Sequence, residues 1–297
     1  MRRAIFAVIA ACVVVCATWT ALPIAAQTPA APTKSKSAVA TKSSAKAGVK
    51  SKVPRNSTGK PDLTGVWQSG SERKGSWEEA NTGTGVGGTG TDTKAPVVLS
   101  SNDRPDGRQG APYQPWAAQK VLDAYQRRGI DDPTSVCLPA GLPRTPMLGL
   151  FPQQIIQTPT QIIMLYEYMN VFRVIPFASK HPDDMLASYL GNSIARWDGD
   201  TLVVDVTGFN DKTWLAGTGT FHTEALHVTE RYTRVNKDQL LYDVTLEDPN
   251  VLTKPWSLHS SMMLREGTRL QEYVCPENNL DPTYYQHLIK DDVKFTR

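Results

Sequence analysis

The side chains best suited to chemistry are concentrated in residues 192–235. His222 and His227 lie five residues apart there, Asp205 precedes them, and Glu230 follows. A carboxylate beside a histidine in an apolar pocket can form a general acid/base pair, because burial shifts the pKa values of both groups. The sequence therefore predicts Asp205, His222, His227 and Glu230 as candidate catalytic residues. A histidine on a strand is also commonly an ordinary core or surface residue, and that alternative stays open.

A second set of residues could hold an apolar or aromatic ligand, because aromatic rings offer flat surfaces on which such a ligand stacks. Charged groups on the same strands could orient it. The candidate ligand-binding residues are Arg144, Tyr166, Glu167, Tyr168, Arg173, Trp214, Trp256 and His259. Glutamate and arginine on paired strands are more often a structural ion pair, so Glu167 and Arg173 have both interpretations.

Metal, nucleotide and acyl-enzyme chemistry lack their usual motifs. Imidazole suits zinc, copper or iron, and His222 and His227 could bind an ion together with Glu224 or Glu230. The tight His-x-His and His-Glu-x-x-His spacings are absent, however. The glycine-rich residues 83–90 lack the strand–loop–helix context and the Lys-Ser/Thr pair of a phosphate site, and no Gly-x-Ser-x-Gly elbow occurs. We therefore predict neither a metal nor a cofactor.

The elements that must position these residues have the pattern of strands. Short runs of alternating polarity are separated by tight turns, with Asp198-Gly199 the strongest hairpin signal. The predicted strands are residues 153–158, 161–168, 171–176, 190–197, 201–207, 226–235, 239–247, 256–265 and 270–275, after a first short strand at Gly65-Val66-Trp67.

Strands in this order, with no helical pattern between them, predict an all-β fold based on an antiparallel meander. A long sheet must close or fold over to hide its edges, and a closed barrel of about eight or nine strands has room for one small ligand. We expect a lipocalin-like closed or partly closed barrel with one or two short helices, one of them at residues 115–128. The ionisable residues expected to line its cavity are Glu167, Arg173, Asp205, His227, Glu230 and Arg231.

The beginning of the chain predicts export. Residues 1–26 combine a basic start, an apolar run and a small-residue cleavage site, which is the pattern of a secretory signal peptide. A retained anchor and lipidation at Cys12 are the alternatives. Residues 27–60 are rich in Ala, Lys and Ser and should form a disordered linker. Residues 61–297 should form a single β-barrel domain with a long flexible loop at about residues 72–110.

Charge is divided unevenly along the chain. Residues 1–60 carry ten lysines and arginines and no acidic residue, leaving 22 basic against 29 acidic residues, a net charge of −7, in the predicted domain. A nucleic-acid-binding domain would carry a basic folded surface instead. We therefore expect no nucleic-acid partner, no stable membrane span after signal cleavage, and a periplasmic or secreted location.

Two cysteines remain after the predicted cleavage, Cys137 and Cys275. In an exported protein such a pair most often forms a disulfide. The bond would close a loop of more than a hundred residues, which is worth on the order of 4–5 kcal/mol in the chain-entropy model. It would hold the proline-rich loop at residues 131–146, a candidate rim of the binding site, against the end of the last strand.

Several strings resemble one family. PDLTGVW, CLPAGLPR, QIIQTPTQIIMLYEY, WDGDTLVVDVTGFND, HTEALHVTERYTR, LEDPNVLTKPW and LQEYVCPEN are similar to a family of exported, functionally uncharacterised bacterial proteins. The resemblance covers roughly residues 61–281 and implies a secreted, lipocalin-like β-rich domain. It supplies no catalytic residues.

Three functions are compatible with these features. The first is an exported barrel that binds a small apolar or aromatic molecule. The second is a cofactor-free acid/base enzyme, a lyase, isomerase or hydrolase, which requires His222 or His227 to lie within hydrogen-bond reach of a carboxylate inside the cavity. The third is a structural or interaction protein of the cell envelope, which predicts a filled barrel.

Overall fold

A computed structural model describes residues 52–70, 111–126, 131–215 and 219–277, together with residues 279 and 283. The predicted signal peptide, most of the predicted linker and the predicted long loop lie outside the described residues. Residues 52–60, which we had expected in the linker, are described, and they form a turn that contacts the barrel through an ion pair between Arg55 and Asp200 at 2.5 Å.

The described strands form one antiparallel sheet of nine members, as the alternating pattern predicted. The order across the sheet is β4-β3-β2-β1-β9-β8-β7-β6-β5. Their bounds are β1 Gly65–Gly70, β2 Gln153–Gln157, β3 Gln161–Tyr166, β4 Phe172–Pro176, β5 Asn192–Asp198, β6 Thr201–Thr207, β7 His227–Arg234, β8 Gln239–Glu247 and β9 Trp256–Leu264.

Strand β1 joins the two halves of the sheet. It pairs with β2 on one side and with β9 on the other, so the first strand of the chain lies in the middle of the order. Its Trp67 is fully buried in the main core, and the indole Nε1 donates to the carbonyl of Leu63 at 2.9 Å. The first short strand predicted at residues 65–67 is thereby confirmed.

The barrel is nearly closed, and its seam lies between β4 and β5. Nine strands that alternate in direction leave the first and last members of the sheet parallel, and parallel neighbours need a crossover connection. Residues 177–191 form that crossover. The seam is bridged in parallel at Phe177 and Ala195, where the N–H of Ala178 donates to the carbonyl of Ala195 at 3.3 Å.

Two short helices accompany the sheet. The predicted first helix is confirmed as α1, Pro115–Gln126, with proline at its first position. A single turn, α2, spans Arg144–Met147 in the proline-rich loop. Within the described residues, no helix is long and apolar enough to cross a membrane.

The predicted strand at residues 270–275 is wrong. The backbone there bonds to side chains rather than to a neighbouring strand, since the N–H of Gln271 donates to Glu167 Oε2 at 2.7 Å. The edge of β9 on which a following strand could have paired is bonded to β1 instead. The predicted disulfide is confirmed: Cys137 is bonded to Cys275 across a sequence separation of 138 residues.

Candidate functional site

A buried polar network crosses the interior from β3 and β4 to β7 and β8. Arg173 Nη2 donates to Glu230 Oε2 at 2.5 Å, and Tyr232 and Tyr242 donate to the other carboxylate oxygen at 3.0 and 2.9 Å. Arg173 also donates to Tyr166 Oη at 3.3 Å. The glutamate and the three tyrosines are almost completely buried. At this level the barrel is filled with side chains, where we had expected a polar-lined cavity.

Burial and neighbouring groups together set the protonation states of this network. Burial acts to lower the pKa of Arg173, but the charge and hydrogen bond of Glu230, together with Tyr166 and Tyr232, outweigh it and hold that pKa well above its usual range. Burial raises the pKa of Tyr166 to about 12 and raises that of Tyr232 well above its usual value. The arginine is therefore cationic and the tyrosines keep their protons, so these groups can all donate hydrogen bonds.

Four of the six expected lining residues lie outside the barrel. Glu167, Asp205, His227 and Arg231 alternate with the buried positions and point outward, which leaves Arg173 and Glu230 inside. The expectation of six ionisable interior groups was wrong because both faces of these strands contain ionisable residues. Only the face that also carries large apolar side chains is turned inward.

Asp205 forms the centre of a cluster on the outer wall. His227 Nε2 lies 2.8 Å from its Oδ2, and His181 Nε2 lies 2.7 Å from its Oδ1. His227 Nδ1 is 3.4 Å from Glu247. The structure thus brings Asp205 and His227 together, but on the outer face. Sequence reasoning missed His181, because it lies in the crossover at residues 177–191, whose position no local pattern indicates.

Partial burial acts to raise the pKa of Asp205, but hydrogen bonds from His181 and His227 more than offset it. The net effect is a pKa below the usual carboxyl value. The aspartate is therefore ionised and holds the crossover against the barrel wall through His181. Asn192 on β5 extends the contact, since its Oδ1 lies 3.2 Å from His181 Nδ1.

His222 is buried, and among the described residues it has no carboxylate as a hydrogen-bond partner. Its Nδ1 lies 2.9 Å from the carbonyl of Thr223, so this nitrogen carries the proton, and its Nε2 accepts from Thr213 Oγ1 at 2.7 Å. Burial lowers the pKa of His222 and favours the neutral ring. Gly141 makes room for this contact, because a Cβ at that position would lie 2.4 Å from Thr213 Oγ1.

The other predicted site residues have contacts within the protein. Arg144 is fully buried and donates to both oxygens of Asp132, at 2.9 and 2.8 Å, so the anion it binds is part of the chain. Tyr168 lies in an aromatic cluster with Phe151, whose ring centre is 4.9 Å away. His259 Nδ1 lies 2.6 Å from Asp243 on the outer face.

The two tryptophans chosen as ligand contacts have different environments. Trp256 is 3% exposed and belongs to the barrel core, whereas Trp214 is half-buried and packs against that core from a loop. Trp214 forms an isolated bridge with Phe221. Neither of them lines a groove at the seam between β4 and β5.

A groove of about 390 Å³ opens at the seam, beside the free edges of β4 and β5. Arg173 and Ser193 contribute to it from the inner face, and Arg173 Nη2 donates to Ser193 Oγ at 2.8 Å across the seam. Phe172 and Val174 line it from the outer face and are 65% and 48% exposed. The groove is the place where a ligand could reach the interior network.

Among the described residues, no group of three or more His, Cys, Asp or Glu side chains is arranged to hold a metal ion. Comparisons with protein-family models, with curated proteins and with solved structures found no match. The barrel geometry and the contacts above are therefore the basis of the functional argument.

Proposed function

We propose that this protein is an exported, lipocalin-like binding protein that holds a small apolar or aromatic molecule in the groove at the barrel seam. The observation that carries the proposal is the groove itself, with exposed Phe172 and Val174 on its rim and the buried cation Arg173 among its lining residues. Small-molecule sites are typically concave, mostly apolar and about 300–1,000 Å³ in volume. The volume of the seam groove falls in this range, and apolar side chains form part of its lining.

Arg173 supports a ligand that also carries a hydrogen-bond acceptor. Its two Nη atoms donate to Tyr166, Ser193 and Glu230. Its Nε is buried and has no hydrogen-bond partner among the described residues. An unpaired buried donor costs about 1–3 kcal/mol. A carbonyl or hydroxyl oxygen of the ligand would remove that cost once the side chains that cover Nε move aside.

Export is supported by three features of the chain. The N-terminal pattern of a signal peptide and the family resemblance both imply a secreted or periplasmic protein. A disulfide between Cys137 and Cys275 persists in oxidising compartments and is rare in reducing ones. In such a location the groove would take its ligand from the periplasm or the medium.

The alternatives fit less well. An acid/base enzyme working inside the barrel needs a histidine bonded to a carboxylate there, yet His227 meets Asp205 on the outer wall and His222 bonds to Thr213. A purely structural envelope protein agrees with the filled interior, but it gives the exposed apolar rim of the seam groove no role.

Fluorescence titration with the neutral aromatic probe N-phenyl-1-naphthylamine tests the proposal. Burial of the Phe172 ring under the bound probe should contribute about 1–2 kcal/mol to the binding free energy. Phe172→Ser should therefore weaken probe binding roughly tenfold. Leu186→Ser is the matched control, since Leu186 is 88% exposed and does not line the groove. Mass spectrometry of extracts from the purified protein would identify a natural ligand.

Equal affinities for the wild type and Phe172→Ser would show that the probe binds elsewhere. Absence of saturable binding, together with extracts that contain no small molecule, would favour the structural alternative.

A further inference from the structure

A second groove, of about 580 Å³, lies on the other side of the bridge between Phe177 and Ala195. Three parts of the chain converge on it: the turn at residues 56–60, the turn between β2 and β3, and the ends of the seam strands. None of its lining residues lines the seam groove. The two grooves can therefore be tested separately.

The second groove is positively charged within an acidic domain. Its twelve lining residues include Lys60 and Arg196 but no carboxylate. The two carboxylates of the adjacent β5–β6 turn are already paired, Asp198 with Arg231 at 2.9 Å and Asp200 with Arg55 at 2.5 Å. Residues 61–297 carry a net charge of −7, whereas Lys60 comes from the basic residues 1–60; together with Arg196 it gives this groove a positive charge, which favours an anion.

Aromatic rings form one wall of the second groove. Phe177 and Trp197 lie with ring centres 6.5 Å apart and planes inclined by 31°, and both pack against the main core. Lys60 Nζ lies 5.8 Å from the centre of the Trp197 ring. A flat apolar ring can pack on this wall while an attached anionic group reaches the lysine.

Lys60 is held in place without a ligand. Asn56 Oδ1 accepts from the N–H of Lys60 at 3.0 Å and from the N–H of Thr58 at 3.0 Å, which fixes the turn. Lys60 Nζ donates to the carbonyl of Gly199 at 3.0 Å and keeps further N–H donors for a ligand. A group fixed in its binding position loses less conformational entropy when the ligand arrives.

We propose that the second groove binds a small aromatic carboxylate, with its ring against Phe177 and Trp197 and its carboxylate between Lys60 and Arg196. A simple inorganic anion would leave the aromatic wall uncovered. A neutral aromatic molecule would make no use of the two cations. This site is separate from the seam groove, and it has a different ligand class.

Isothermal titration of the purified protein with 2-naphthoate and with its neutral amide tests this site. The carboxylate should bind saturably and about fivefold more tightly than the amide, because an exposed charge pair contributes up to about that factor. Added salt should narrow the difference, since the groove is open and its charges are screened. Arg196→Gln should reduce the preference for the carboxylate, with Lys60 left as the one cation in the lining.

Arg269→Gln is the matched control, because it removes another exposed arginine, which does not line the groove. Phe172→Ser should leave naphthoate binding unchanged, which separates this site from the seam groove. Equal affinities for naphthoate and its amide, equal effects of Arg196→Gln and Arg269→Gln, or no saturable binding would each overturn the proposal. If the wild type bound naphthoate but not N-phenyl-1-naphthylamine, the result would contradict the proposed function of the seam groove and leave the second groove supported.

Discussion

At the scale of single residues, the pair of Arg173 and Glu230 distinguishes this barrel interior from an apolar core. Both side chains are buried, so neither charge can be solvated by water. Desolvation of two ions is compensated only where geometry is good and the remaining donors and acceptors are bonded. Here Tyr232 and Tyr242 occupy the second carboxylate oxygen. The glutamate is therefore placed to neutralise a cation in the interior.

Removing only the negative charge should be strongly destabilising. Glu230→Gln keeps an oxygen that accepts from the tyrosines but leaves Arg173 as an uncompensated buried charge, and breaking a buried pair costs about 3–5 kcal/mol. We expect that loss in the free energy of unfolding measured by urea denaturation. The control Glu247→Gln changes a half-exposed residue, and its free energy of unfolding should stay within about 0.5 kcal/mol of the wild-type value. Equal losses for the two variants would contradict a structural role for the pair.

The sequence indicated which residues are ionisable, but not which of them face the interior. On β7, Glu230 shares the buried face with Val228 and Tyr232, whereas His227 and Arg231, which had been expected to line the cavity with it, lie on the opposite face. The choice of Glu230 as a catalytic group rested on residue type. Its partner, Arg173, lies 57 positions earlier, and no local pattern connects two residues across a barrel.

At the scale of elements, the crossover at residues 177–191 is attached to the barrel wall through one aspartate. Asp205 on β6 bonds to His181 of the crossover and to His227 of β7. The pKa of Asp205 is lower in the folded protein than its usual value of 3.8, so the unfolded chain binds the proton more tightly. These contacts therefore stabilise the fold fully at a pH above the usual value of 3.8. Their contribution is lost as the pH falls through the lower pKa of the folded protein.

Asp205→Asn should reproduce this loss at neutral pH. At this partly exposed site the two contacts contribute about 1 kcal/mol, so the variant should unfold more easily than the wild type by that amount at pH 7. The difference should narrow at pH 3, because this pH lies below the usual value of 3.8 and the unfolded wild-type chain there takes up the proton. Urea denaturation at both pH values measures it. Asp183→Asn, at a carboxyl that is 84% exposed, is the control. If the wild type and Asp205→Asn differed as much at pH 3 as at pH 7, the charge of Asp205 would not be the source of the stability.

The strands could be predicted because their own residues specify them. Alternating apolar positions and turn residues such as Gly199, which has a φ of 59°, act within a few residues of each other. The segment at residues 270–275 shares the composition of a strand but not the pairing. Its cysteine, Cys275, is bonded to Cys137, and its backbone bonds to Glu167 and Asn170. Tertiary contacts decided its conformation.

At the scale of the whole molecule, the number of strands determines the kind of seam. An even antiparallel meander closes with an antiparallel pair and can complete its hydrogen bonds through short turns. Nine strands leave β4 and β5 parallel and joined by a crossover, and the closure is incomplete. One strand more or fewer would make the two edge strands antiparallel instead of parallel. A sequence-based prediction that is wrong about a single strand therefore cannot locate the seam or its grooves.

Hydrogen exchange should show the consequences of the parallel seam. Strands β4 and β5 each have a neighbour on only one side along most of their length, whereas β7 and β8 have neighbours on both. Backbone N–H groups at free edges open more readily. In exchange measured by mass spectrometry, peptides covering residues 171–178 and 188–195 should therefore exchange faster than those covering residues 227–247.

His181→Ala should accelerate exchange further in the seam peptides, because it removes the contact between the crossover and Asp205. The central peptides at residues 227–247 should keep their rates, since the sheet on either side of them is intact. His259→Ala is the control, because it removes a similar histidine–aspartate contact from the outer wall, between β8 and β9 and away from the seam. Acceleration of all peptides by His181→Ala would mean that the crossover supports the whole barrel, and no acceleration would mean that the seam is held by other contacts.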